Sequence, residues 1–104
     1  MNTFAIALQE DRRLVILRFL EGAAKYALND SLLQTALETL GHIVSRDTVR
    51  SDIAWLAEQG LVTVDHSLIE VHVARLTARG KDVATGRADV PGVKRPGPSP
   101  IPSP

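Results

Sequence analysis

The chain has 104 residues, no cysteine, 44% hydrophobic residues, few aromatics, and twelve basic against twelve acidic side chains. That length makes one domain with a core built from Leu, Val, Ile and Ala, and the missing cysteine excludes disulfides and thiolate metal sites and suits a reducing cytoplasm. A formal charge of zero gives no prior for a polyanion partner.

The charge is uneven: residues 1–70 hold six basic and ten acidic side chains, residues 71–104 six and two. Asp11-Arg12-Arg13 interrupts the early apolar residues, so no secretory leader is expected. No run approaches the ~18–20 apolar residues of a membrane span. A soluble, cytoplasmic protein is the expectation.

A first helix is predicted from Gln9 to Gly22, with Phe4, Ile6 and Leu8 as a loose lead or an extra turn. Leu14-Val15-Ile16-Leu17-Arg18-Phe19-Leu20 is apolar nearly all round. Either one core takes all of it, or a second side is left for a partner helix, for which a homodimer is the natural choice. Lys25-Tyr26-Ala27-Leu28 reads as a short edge strand, with Tyr26 as packing. Asn29-Asp30-Ser31 then caps a second helix marked by Leu32, Leu33, Ala36, Leu37 and Leu40 and ended by Gly41.

Gly41-His42-Ile43-Val44 is a turn between helices. Ser45 caps a third helix, Asp47 suits its positive end, and Val49, Ile53, Leu56 and Ala57 form its apolar stripe. Arg46, Asp47, Thr48, Arg50 and Ser51 stay off that stripe near the N-terminal end. Short polar groups and arginines on an apolar back suit a helix lying in the DNA major groove; an ordinary surface helix is the plainer reading. Trp55 is read as an anchor against the hairpin or the first helix. Gly60 fits the left-handed position after a helix.

A hairpin follows, with strands 61–65 and 68–75 turning at about His66-Ser67 and with Ile69, Val71 and Val73 facing inward. Thr77 caps a last short helix carrying Arg79 and Lys81. Residues 87–104 are expected as a Pro-rich extended tail, since all six prolines lie between Gly86 and Pro104. Within it, Val90 to Pro96, with Lys94 and Arg95, is either a docking motif or phosphate-touching arm, or simply part of the tail.

The run Ser45 to Val62 resembles the recognition helix and first wing strand of winged helix-turn-helix proteins, closest to ArsR-like regulators. With Asp11-Arg12-Arg13-Leu14-Val15-Ile16-Leu17 and Val90-Pro91-Gly92-Val93-Lys94-Arg95-Pro96, the chain is also similar to small proteins encoded by Mu-like phages and prophages. The resemblance implies a mainly α fold with a small β-hairpin wing over residues 1–86, pairing through terminal helices, and a bacterial host cytoplasm. Two departures stand out: the turn before Ser45 is longer than in ArsR-like proteins, and Trp55 replaces a leucine.

His42, His66 and His72 show no ligand spacing on a helix, though His66, His72 and Asp65 could approach one another at the hairpin. The cysteine pairs of ArsR-like metal sensors are missing. No phosphate loop or nucleophile elbow occurs, so no enzyme, cofactor, metal or small-molecule substrate is expected. The expected function is a dimeric, double-stranded-DNA-binding regulator using Arg46, Asp47, Thr48, Arg50 and Ser51, with Arg79, Lys81, Lys94 and Arg95 on phosphates. The alternative is a protein–protein adaptor in phage packaging or assembly.

Overall fold

The computed structural model describes residues 2–97. Helix α1 (Thr3–Gly22) leads through a short 3₁₀ turn (Ala24–Tyr26) into strand β1 (Ala27–Asn29). Helices α2 (Asp30–Thr39) and α3 (Arg46–Glu58) follow, then strands β2 (Val62–Leu68) and β3 (Val71–Leu76), and helix α4 (Ala78–Ala84). The result is a small α+β protein with, among the described residues, four helices and one antiparallel sheet in the order β1-β3-β2.

Caps set the helix starts. The Asn2, Asn29, Ser45 and Thr77 side chains accept the N–H groups of Ala5, Leu32, Thr48 and Gly80. The Asn2 cap starts α1 at Thr3, so Phe4, Ile6 and Leu8 are helical rather than a loose lead. Gly60 ends α3 with φ +75°. Gly80 has a steric reason: a Cβ there would lie 2.0 Å from the Leu61 carbonyl oxygen.

Ile16, Leu17 and Leu20 of α1, Leu33 and Leu37 of α2, Val49, Ile53 and Leu56 of α3, and Leu61, Ala74 and Val83 form one core. Leu14 to Leu17 are all buried within this chain. The exposed apolar residues of α1 lie earlier, at Phe4, Ile6 and Leu8.

The hairpin differs from expectation. It reverses at Ile69-Glu70, not at His66-Ser67. The Asp65 carboxylate accepts the Ser67 N–H at 2.8 Å, and the ladder shifts register between Asp65 and Leu68. His66 and Ser67 thus form a bulge and the strand continues. The inward face is carried by Ala74 and Leu76, while Ile69 is 90% exposed. Leu28 and Val64 flank Ala74 in one cross-strand row, which fixes that face toward the helices.

The expected domain end at residue 86 also moves. Val90 and Val93 are 4% and 6% exposed and belong to the core. The Lys94 N–H donates to the Glu10 carbonyl at 3.2 Å. Residues 88–94 are therefore a strap laid on α1 and α3, held by two apolar side chains that the proline-rich composition hid. The tail expected over residues 98–104 lies outside the described residues.

Candidate functional site

The N-terminal half of α3 stands out from the core beside the hairpin. Arg46, Asp47 and Ser51 are exposed and Thr48 is half-buried. Arg46 donates to the Ser31 hydroxyl at 3.3 Å and has no carboxylate partner among the described residues. The Thr48 hydroxyl lies 3.1 Å from that of Ser45 and completes the cap.

Arg50 departs from the expectation of a free, outward guanidinium. Its Nε donates to the Asp30 carboxylate at 2.5 Å, and its second amino group donates to the Glu70 carbonyl at 2.8 Å. Asp30 is 1% exposed. Arg50 thereby ties α3 to the start of α2 and to the hairpin turn, and a base edge would have to compete with a buried carboxylate for it. Burial raises the Asp30 pKa, but the Arg50 hydrogen bond and charge, with the Ser31 N–H and Arg46, leave it below the ordinary carboxylate value.

Asp52, in the middle of α3, adds no surface charge to that helix. It is buried, with Arg12 in a charge-assisted hydrogen bond and Arg13 at 3.9 Å. Arg13 itself is 9% exposed. Its guanidinium carbon lies 3.8 Å from the Trp55 ring centroid, and it donates to the Gly92 carbonyl at 3.0 Å. Trp55 is thus an anchor against α1, as the chain pattern suggests, but also against the strap.

The remaining predicted phosphate contacts do not gather with Arg46. Arg79 donates to the Gln59 carbonyl at the far end of α3, roughly 20 Å along that helix from Arg46. Lys81 stands over Tyr26. Lys94 reaches the Asp11 carboxylate at 3.4 Å, and Asp11 also meets His42 Nε2 at 2.7 Å. Burial raises the Asp11 pKa and the His42 and Lys94 contacts more than offset it, leaving it lowered. Arg95 is exposed.

The hairpin tip carries no cation: no Lys or Arg occurs between Arg50 and Arg75. It presents Asp65, Glu70, Leu68 and Ile69 instead, all exposed. The bulge brings His66 and His72 together, ring centroids 4.6 Å apart and edge to face. Among the described residues no group of three or more metal-ligating side chains forms, and no helix is long and apolar enough to cross a membrane.

Sequence reasoning missed Asp30 as the partner of Arg50 and Asp52 as the partner of Arg12. It also missed Gly92 under Trp55. Only Gly92, between Pro91 and Val93, left a signal, as a glycine inside an otherwise valine-bearing stretch.

The fold and this surface define a small α+β protein with an outward helix and an adjoining hairpin. The chain is 59% identical to "Uncharacterized protein gp26" of Escherichia phage Mu over 91 residues, which span 88% of this chain and 93% of that protein. It is 40% identical over 77 residues to a Haemophilus influenzae (strain KW20/Rd) protein, 74% of each chain. The chain belongs to the family of phage Mu gp26. No protein-family model and no solved structure matches it.

Proposed function

We propose that the chain is a winged-helix DNA-binding protein of Mu-like phage origin, a regulator acting as a dimer. One observation carries this reading. Helix α3 keeps Arg46, Asp47 and Ser51 exposed on a helix braced against α2 and the hairpin by Arg50. Such a helix presents its N-terminal side chains to base edges when it enters the major groove. Arg46 is the base- or phosphate-contacting cation, Asp47 and Ser51 lie one turn apart beside it, and Arg50 positions the helix. The order helix, strand, two helices, hairpin, helix is compatible with a winged helix. Phe4 and Leu8, on one side of the projecting start of α1, are the dimer contact.

A second reading has its own observation. The hairpin tip is cation-free and shows Leu68 and Ile69, and Ile43 before α3 is 80% exposed. An adaptor that grips protein rather than phosphate would present such a surface. Gel-shift titration with phage-genome fragments at low and moderate salt separates the two. A sequence-dependent shift that Arg46→Ala abolishes supports the regulator. No shift, or a shift indifferent to Arg46→Ala, leaves the adaptor.

A further inference from the structure

Arg46 is not the only cation left without a carboxylate among the described residues. Lys25, Arg75, Lys81 and Arg87 are all exposed, and none makes an ion pair among the described residues. The contacts link the residues that carry them. Arg75 donates to the Lys25 carbonyl at 2.8 Å. The Lys81 ammonium lies 5.5 Å from the Tyr26 ring centroid. Lys81 also lines a shallow groove with Arg87, Thr85 and Asp82, the one carboxylate in it. Tyr26 is 43% exposed and walls an adjoining groove with Leu76, Thr77 and Lys81.

The backbone holds this arrangement in an unusual way. Lys25 and Tyr26 are consecutive non-glycine residues at φ +56° and +58°. Side chains in that region are strained, and β1 pairing with β3 directly after them keeps them there. The patch belongs to β1, β3 and α4 and lies before the start of β1, whereas Arg46 and Arg50 of α3 meet Ser31 and Asp30 beyond its end.

We propose that this patch binds a single strand of nucleic acid, its phosphates on Lys25, Arg75, Lys81 and Arg87 and one base on the Tyr26 ring. Four cations without carboxylate partners complement a phosphodiester backbone. An exposed aromatic ring among cations is the pairing that single-strand binders use, because every base has a face to stack. A duplex hides those faces, and a run of carboxylates offers none. The surface does not depend on the reading of α3 and is tested apart from it.

The test is fluorescence anisotropy of the full chain with a labelled oligothymidylate of about twelve nucleotides, across a salt series. Four phosphate contacts predict a slope of log affinity against log salt of about −2.8. Lys81→Gln with Arg87→Gln, both at exposed positions, is expected to bring it to about −1.4. Tyr26→Leu is expected to weaken binding about tenfold with the slope unchanged, and Arg46→Ala to leave both unchanged. Circular dichroism checks each fold. The proposal is overturned by absent binding, by an unchanged slope in the double variant, by loss of binding in Arg46→Ala, or by a duplex or polyglutamate competing as well as the single strand.

Discussion

Arg13 lies over Trp55, guanidinium carbon 3.8 Å from the ring centroid, and the two close together on Gly92. A Cβ on Gly92 would sit 2.7 Å from the indole and 3.2 Å from the Arg13 amino nitrogen, at a backbone φ of +98°. Gly92→Ala is therefore expected to destabilise the fold by about 2–3 kcal/mol through overpacking and backbone strain. Urea unfolding followed by Trp55 emission measures it, and an unchanged midpoint and spectrum would show that the strap does not seat there.

The strap as a whole contributes more. Val90 and Val93 each bury a side chain worth about 1.5–3 kcal/mol, partly offset by the entropy of ordering the segment. A chain ended after Gly86 is expected to be about 2–4 kcal/mol less stable than one ended after Gly97. Equal thermal midpoints would contradict the packing described.

Arg50 and Asp30 form a pair with one partner almost fully buried. Arg50→Ala leaves that carboxylate uncompensated and is expected to cost about 3 kcal/mol, with Asp30→Asn costing less. The pH dependence follows from the lowered carboxyl pKa values of Asp30 and Asp11. A lowered value means that the unfolded chain takes up protons first. The stabilisation is complete above the ordinary value of 3.8 and is lost as the pH falls through the lower, folded values. Unfolding free energy should decline below about pH 4, and less steeply in Asp30→Asn; identical slopes would remove Asp30 from the account.

Under the DNA-binding reading, Arg46→Ala reduces discrimination at one base pair by about 1–3 kcal/mol if the guanidinium reads guanine. If it meets phosphate instead, affinity falls alike on all sequences and the salt slope shrinks by about 0.9. Competition titrations on operator-like and scrambled duplexes distinguish the two.

Phe4 is 72% exposed and Leu8 41% exposed on the same side of α1. Under the dimeric reading, Phe4→Ser with Leu8→Ser is expected to convert dimer to monomer in sedimentation velocity without loss of helicity, and an unchanged sedimentation coefficient would remove this face from the account. Leu17 is no probe of that interface, being fully buried in the chain's own core.

Most of the helices were legible because caps and apolar spacing act locally: Asn29, Ser45, Thr77 and Gly60 each stand where a helix begins or ends. The hairpin turn was misplaced because His66-Ser67 resembles a reversal until the Asp65 carboxylate claims the Ser67 N–H. The site was less legible, since Arg50 and Asp30 are twenty residues apart and only the tertiary fold makes them partners. Composition likewise marked residues 87–97 as tail, because two valines among prolines do not announce the cavity waiting for them on α1 and α3.

That strap joins residues far apart in the chain: Gly92 meets Arg13 seventy-nine positions away, and Lys94 meets Asp11 eighty-three away. Contacts of such span close the largest loops and form late on the way to the native state. Amide exchange at Val93 and Lys94 should therefore outpace exchange in the middle of α1, and a protease working on the native protein should find its first foothold at this margin.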